Sequence, residues 1–170
     1  MNKEELAELA YQKGYEYEQK NQVCAQCCLA ALQDAIGDID DSVFKAAYTL
    51  GGGGALTREG TCGALAGGLL AIGSRFGRSK ADFNKKFDRS TNRLAKQLTD
   101  RFFQEFGGYT CRAVQTHVFG QSFDFWDETE NKAFKDAGAH TEKCPMVVGT
   151  GAKIAAEIIL TEEERRRNEK

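Results

Sequence analysis

The chain has one proline, Pro145, and few β-branched aliphatic residues for its length of 170 residues. Valine and isoleucine together occur 12 times, whereas alanine occurs 21 times. Because alanine favours helices and β-branched side chains favour strands, this composition predicts an all-α protein. A chain of this length can bury a core without disulfide staples, so we expect a single-domain bundle of about six to eight helices.

Charge of one sign and long apolar runs are also missing. The net charge is −2 and no broad basic field is present, so we expect no nucleic-acid partner. The longest weakly polar run, residues 61–73, is shorter than the roughly 20 residues of a membrane span, so we expect no span. The acidic N-terminal segment MNKEELAELA has no signal-peptide hydrophobic region, which predicts a cytoplasmic protein.

Helical periodicity places residues 1–160 in one domain, followed by a charged tail at residues 161–170 that we expect to be solvated or frayed. The pattern predicts helices over about residues 2–18 and 22–36, after Cys62, and from Cys144 onward. The longest helix is predicted to begin at Ser79, which would cap it. Its apolar stripe should form the spine of the core and consists of Phe83, Phe87, Leu94, Leu98 and Phe102.

Four consecutive glycines at residues 51–54 open a stretch that core packing does not explain. Glycine loses the most backbone entropy on folding, which predicts a tight loop whose bare backbone approaches another group closely. Cys62 follows this loop, at the first position of a helix that Thr61 would cap. Unpaired amides and the positive end of the helix dipole lie there, so we expect Cys62 to favour the thiolate form.

Six cysteines are many for a cytoplasmic chain of this length, and they indicate metal or redox chemistry before structural disulfides. Four of them share one setting, because each lies in or beside the first turn of a predicted helix. They are Cys24, Cys62, Cys111 and Cys144. Four thiolates facing four helix N-termini would suit an anionic metal cluster, although no short ferredoxin-type or zinc-ribbon run is present.

Short motifs around these cysteines resemble the C-GCAxxG-C-C family of redox-active proteins. The motifs are N-x-x-C-A-Q at Cys24, R-E-G-T-C-G-A-x-x-x-G at Cys62, T-C-R at Cys111 and K-C-P at Cys144. The similarity extends from about Cys24 to Ile159, and similar segments resemble the iron–sulfur part of split-Soret cytochromes. The resemblance implies a helical redox domain whose ligands are these four cysteines. It also places the glycine loop and Gly63 on the family's central motif.

Cys27 and Cys28 depart from the family pattern. Cys24 and Cys27 formally make a CxxC pair, but Cys28 stands where covalent c-type haem needs a histidine, so we expect no covalent haem. The extra cysteines could instead form a redox disulfide or supply an alternative ligand.

From the residues and the resemblance together we expect an iron–sulfur cluster, [2Fe–2S] or [4Fe–4S], bound by the four cysteines under the glycine loop. Backbone amides and one positive charge would surround it, contributed by Gly53, Gly54, Arg58, Gly60 and Gly63. The expected role is electron transfer to a redox partner protein rather than stand-alone catalysis. A homodimer is left open.

Four other functions are considered. The same thiolates could bind zinc, and Cys24, Cys27 and Cys62 could act in cluster-free thiol–disulfide exchange. A cysteine hydrolase would pair Cys62 with His117 or His140, but it needs a strand before Cys62 that the glycine-rich sequence does not predict. The aromatic segment around Trp126 could bind a partner in a structural subunit.

Overall fold

A computed structural model describes residues 1–169 and confirms the all-α prediction. Within those residues there is no strand, and a single antiparallel bridge joins Thr61 to Thr110. The eight α-helices are α1 (Lys3–Asn21), α2 (Cys24–Ile36), α3 (Asp41–Ala46), α4 (Gly63–Phe76), α5 (Ser90–Phe106), α6 (Cys111–Phe119), α7 (Glu128–Asp136) and α8 (Cys144–Asn168). A π-helical turn, Ala139–Lys143, leads directly into α8.

The core forms around α8, which packs against α1, α2, α4 and α5. Small residues let these helices approach closely. A Cβ atom added at Gly149 of α8 would lie 2.8 Å from the carbonyl oxygen of Tyr11 on α1. One added at Gly68 of α4 would lie 2.7 Å from the side chain of Leu98 on α5. The alanine- and glycine-rich sequence therefore produces a bundle of closely spaced helices.

The helical segment Ala139–Asn168 is long and apolar enough to cross a membrane by length and composition alone, with a mean hydropathy of 1.4 over its most apolar window. In the part of the chain that the structure describes, it is the one such segment. Of that window, 61% is buried inside the domain, and the core helix of a globular protein passes the same test. Its length and apolarity are accordingly weak support for a membrane span.

The helix predicted to begin at Ser79 begins instead at Ser90. Ser79 caps only the short 3₁₀ turn Lys80–Asp82. The carboxylate of Asp88 accepts a hydrogen bond from the Ser90 amide at 3.1 Å, a local contact that starts a new helix in place of a continuous one. Phe83 and Phe87 are 66% and 61% exposed, so they lie outside the core. The buried stripe of α5 is Leu94, Leu98, Phe102 and Phe106.

The charged segment after Thr161, expected to be solvated or frayed, is helical as far as Asn168. Glu162 is buried against the guanidinium groups of Arg165 and Arg166, which lower the pKa of its carboxyl to about 2. Glu163 pairs with Arg75 of α4. These ion pairs within α8 and to α4 extend the helix beyond its apolar part.

Candidate metal centre

The four candidate ligands lie at helix starts, as predicted. Cys24, Cys111 and Cys144 are the first residues of α2, α6 and α8, and Cys62 is the N-cap of α4. For Cys144 the setting differs from the prediction, because the preceding π-helical turn occupies the helix start. The Cys144 amide already donates to the carbonyl oxygen of Ala139. Cys24, Cys62 and Cys111 therefore lie at ordinary helix starts, although at α6 the first three amides already donate to Gly60, Arg58 and Thr110.

All four cysteines line one cavity of about 230 Å³. A cavity of about 150 Å³ admits a benzene ring, so this space exceeds what a single ion needs. Cys27 and Cys28 are buried in α2 and do not line the cavity. The structure thus brings together four residues that lie far apart in the sequence, while their role as ligands stays a prediction.

Two local contacts set this convergence. The bridge between Thr61 and Thr110 joins the starts of α4 and α6, and on either side of it the Cys62 amide donates to Tyr109 and the Cys111 amide to Gly60, at 2.7 and 3.0 Å. Gly63 at the start of α4 lies directly against Cys24 at the start of α2. A Cβ atom added at Gly63 would lie only 2.0 Å from Sγ of Cys24. Only glycine leaves room for that sulfur.

Burial raises the pKa of each candidate ligand above its ordinary value. For Cys62 the largest cause is burial, and the neighbouring Cys111 adds to it. The amides of Ala64 and Leu65 act in the opposite direction, although neither makes a hydrogen bond of normal capping geometry to Sγ. The expectation that Cys62 favours the thiolate form in the free protein is therefore wrong. Removal of the sulfur from water outweighs the helix N-terminus.

N–H groups nevertheless face three of the four sulfur atoms. The Gly52 amide lowers the pKa of Cys24 against the larger effect of burial, as the amides of α4 do for Cys62. Nε2 of Gln115 donates to Sγ of Cys111 at 3.3 Å. Such donors would stabilise thiolates once a cation neutralised the sulfur atoms.

The glycine of the loop that lines the cavity is not one of the glycines predicted to surround the metal centre. Gly52 lines the cavity, whereas Gly53, Gly54 and Gly60 line a separate surface depression beside α4. Gly53 still supports the site, because a Cβ atom there would lie 3.0 Å from Cβ of Cys111. Its φ of +79° also requires glycine.

Arg58, predicted to balance cluster charge, lies near Cys111 and lowers the pKa of that thiol, against the larger effect of burial. Its guanidinium is held by Asp124, with Nη2 and Oδ2 2.8 Å apart. Of the five predicted surrounding residues, three glycines lie against candidate ligands and Arg58 acts on Cys111 through its charge. The glycines are Gly63 beside Cys24, and Gly53 and Gly60 beside Cys111.

Comparison with protein families identifies this arrangement of cysteines. A family model described as "Putative redox-active protein (C_GCAxxG_C_C)" matches residues 22–158, which include all four cysteines of the cavity. The chain belongs to the C_GCAxxG_C_C family. No curated protein and no solved structure matches it. The resemblance of the sequence motifs is thereby confirmed, and with it the assignment to a redox-active family.

Two cavity residues were missed as site residues in this C_GCAxxG_C_C protein. Glu18 of α1 is only 2% exposed and lines the cavity, as does His140 of the π-helical turn, which the sequence analysis named only as a possible hydrolase base. Glu18 was missed because a glutamate in a charged amphipathic helix normally faces water. Helical spacing could have found it, since it continues the buried stripe of Ala7, Ala10 and Gly14.

Aromatic side chains form another wall of the cavity. Phe119, Phe125 and Phe134 line it, and the ring centroids of Phe119 and Phe125 lie 5.3 and 5.0 Å from that of Phe134. Trp126 is exposed beside them and donates from Nε1 to the Ala55 carbonyl at 3.2 Å. The aromatic segment thus anchors the glycine loop and closes the apolar side of the cavity.

Proposed function

We propose that this protein binds an iron–sulfur cluster, [2Fe–2S] or [4Fe–4S], through Cys24, Cys62, Cys111 and Cys144, and transfers single electrons to a redox partner protein. The observation that carries the proposal is that four cysteines from four different helices line one cavity. Cysteine thiolates are the ligands that iron–sulfur clusters use.

The residues around the cavity fit such a group. Gly63 leaves room for the Cys24 sulfur, and N–H groups face the sulfur atoms of Cys24, Cys62 and Cys111. Hydrogen bonds to sulfur and the exclusion of water both tune reduction potential. When bound, the cluster would supply one-electron chemistry. The protein would hold it, shield it with Phe119, Phe125 and Phe134, and set its potential.

Two alternatives named by the sequence have less support. A four-thiolate zinc site would use the same four cysteines, and among residues 1–169 no group of three or more histidine, cysteine or acidic side chains is already placed to hold a metal ion of either kind. Thiol–disulfide exchange needs a reactive thiolate, but burial raises the pKa of Cys24, Cys27 and Cys62. A cavity larger than one ion and thiols protected from attack both favour a cluster.

Anaerobic reconstitution with ferrous iron and sulfide tests the proposal. We expect visible absorption and comparable amounts of iron and acid-labile sulfide in the wild type and in Cys28→Ala, which removes a buried cysteine outside the cavity. Cys62→Ala should lose both the absorption and the iron. A colourless wild-type protein with six titratable thiols would contradict the proposal and favour thiol-based function.

A further inference from the structure

Trp126, the one tryptophan of the chain, lies on the surface and is 74% exposed. Two hydrogen bonds fix it there: its backbone amide donates to Oδ1 of Asp124 at 2.9 Å, and its Nε1 donates to the Ala55 carbonyl at 3.2 Å. Leu56, the residue after Ala55, is 42% exposed and lines the cysteine cavity. A tryptophan already held in one orientation loses little conformational entropy on binding, and tryptophan is enriched among the residues that dominate protein–protein interfaces.

The segment that carries Trp126 also reaches the cysteine cavity. Phe125, the residue before it, lines the cavity. The Phe123 amide donates to Oε1 of Gln115 at 2.8 Å, and Nε2 of that side chain donates to Sγ of Cys111 at 3.3 Å. A protein bound over Trp126 would therefore lie close to the proposed cluster, as electron transfer between proteins requires.

The charged side chains that follow Trp126 are acidic. Asp127 caps α7, and Glu128 and Glu130 are exposed in its first turn. Hydrogen bonds hold this turn beside the tryptophan, because the Asp124 amide donates to Oε2 of Glu130 at 2.6 Å and the Glu130 amide donates to Oδ1 of Asp127 at 2.9 Å. Within residues 1–169 none of the three carboxylates that follow Trp126 forms an ion pair.

The cations near these carboxylates are directed elsewhere. Arg58 is paired with Asp124, and Lys132 of α7 is paired with Asp136. Lys135, in the last turn of α7, lines the cavity. A second copy of this chain bound through the same surface would bring like charges together, because a two-fold interface places the same patch on both subunits. Charge complementarity instead favours a partner with basic side chains around an apolar centre.

We propose that this face, the Trp126 surface, is where a redox partner with such a basic surface docks. It consists of Leu56, Trp126, Asp127, Glu128 and Glu130. The inference rests on the proposed function. One electron leaves the reduced cluster and reduces the one-electron acceptor of the partner, and no proton moves and no bond forms or breaks. The indole ring supplies the central contact, and the carboxylates steer the encounter.

Calorimetric titration of the metal-free protein with oxidised cytochrome c, a basic one-electron acceptor, tests the surface without the cluster. We expect saturable binding that weakens as the salt concentration rises from about 10 mM to about 200 mM. Trp126→Ala should weaken binding at least about tenfold, whereas Phe83→Ala, which removes a similarly exposed ring, should not. The triple variant Asp127→Asn/Glu128→Gln/Glu130→Gln should lose most of the salt dependence, and its amide side chains can still accept the hydrogen bonds of the turn.

A second triple variant is the matched control, because it removes the same charge from exposed residues of α1 and α5. It is Glu4→Gln/Glu16→Gln/Glu105→Gln. Equal weakening in the two triple variants would show attraction by overall charge and overturn the proposal, as would a wild type that does not bind or a Trp126→Ala variant that binds like it. Sedimentation that shows a wild-type dimer and a monomeric Trp126→Ala would assign the surface to a second copy. Circular dichroism controls for folding.

Stopped-flow reduction of cytochrome c by the reconstituted, reduced protein separates this inference from the proposed function. We expect the second-order rate to fall in Trp126→Ala and to be unchanged in Phe83→Ala. A loaded wild type whose rate does not depend on Trp126 overturns the docking surface alone. A wild type that binds cytochrome c through Trp126 but takes up no iron and sulfide overturns the proposed function, and leaves the surface as a docking site for a basic protein.

Discussion

Replacing Gly63 by alanine tests the contact that brings α2 to α4. The added Cβ atom would lie 2.0 Å from Sγ of Cys24 and 2.9 Å from the backbone nitrogen of Ala25. Normal contacts between such atoms are about 3.5–4.0 Å, so the sulfur and the start of α2 must both move. Extra methyl groups in a well-packed core typically cost about 1–3 kcal/mol, and the backbone contact places Gly63→Ala at the upper end.

We expect Gly63→Ala to lower the free energy of unfolding of the metal-free protein by about 2–3 kcal/mol, or the melting temperature by about 4–12 °C. Urea and thermal unfolding followed by circular dichroism would measure it. Gly73→Ala is the matched control in the same helix, because no atom lies within 4 Å of its added Cβ. Alanine's helix propensity should make that variant about 0.5–1 kcal/mol more stable.

A third variant identifies the sulfur as the obstacle. In a Cys24→Ala background, Gly63→Ala should cost less than in the wild type, because the closest contact is gone and the contact to Ala25 remains. The reasoning would be refuted if Gly63→Ala unfolded like the wild type or like Gly73→Ala.

Three further predictions concern pH, redox potential and helix packing. Burial raises cysteine pKa values above the usual value of about 8.5, for Cys28 to about 12, so the folded state keeps protons that the unfolded state releases. The free energy of unfolding of the reduced metal-free protein, measured with urea, should therefore be constant below about pH 8.5 and fall as the pH rises above that value. The fall should be smaller in Cys28→Ala than in the wild type. A free energy of unfolding that stays constant or rises above about pH 8.5 would contradict this prediction. Gln115→Leu removes the hydrogen-bond donor to Sγ of Cys111. In a redox titration it should lower the reduction potential of the proposed cluster by about 20–60 mV, the equivalent of one hydrogen bond. An unchanged potential would count against the contact. The Arg75 side chain is 7% exposed and donates to the carbonyl oxygens of Ile36 and Gly37. Arg75→Met should therefore lower the free energy of unfolding by about 2–3 kcal/mol. A decrease of less than about 0.5 kcal/mol would show that water replaces the guanidinium group.

Local sequence signals predicted the helix starts at the cysteines because caps and prolines act over a few residues. Thr110 accepts from the Ala113 amide as an N-cap, and Pro145 follows the first residue of α8. The consecutive glycines likewise predicted a loop whose backbone approaches another group closely, which Gly53 shows beside Cys111. These features depend on neighbours in the chain.

Features set by tertiary contacts could not be predicted in the same way. Periodicity extended a helix through Phe83 and Phe87, yet both side chains are largely exposed, and a hydrogen bond from the Ser90 amide to Asp88 accompanies the later start of the helix. The protonation state of Cys62 depends on burial by distant helices, which outweighs its own helix start. Glu18 is a site residue only because α1 packs its buried stripe against the turn before α8.

Iron K-edge X-ray absorption of the anaerobically reconstituted protein tests the central claim most directly, because it reports the atoms around iron. The four-cysteine cavity predicts sulfur scattering together with an iron–iron contribution in the wild type, and the loss of both in Cys62→Ala. Iron surrounded only by oxygen or nitrogen, or sulfur-bound iron without an iron–iron contribution, would contradict the claim that this cavity holds an iron–sulfur cluster.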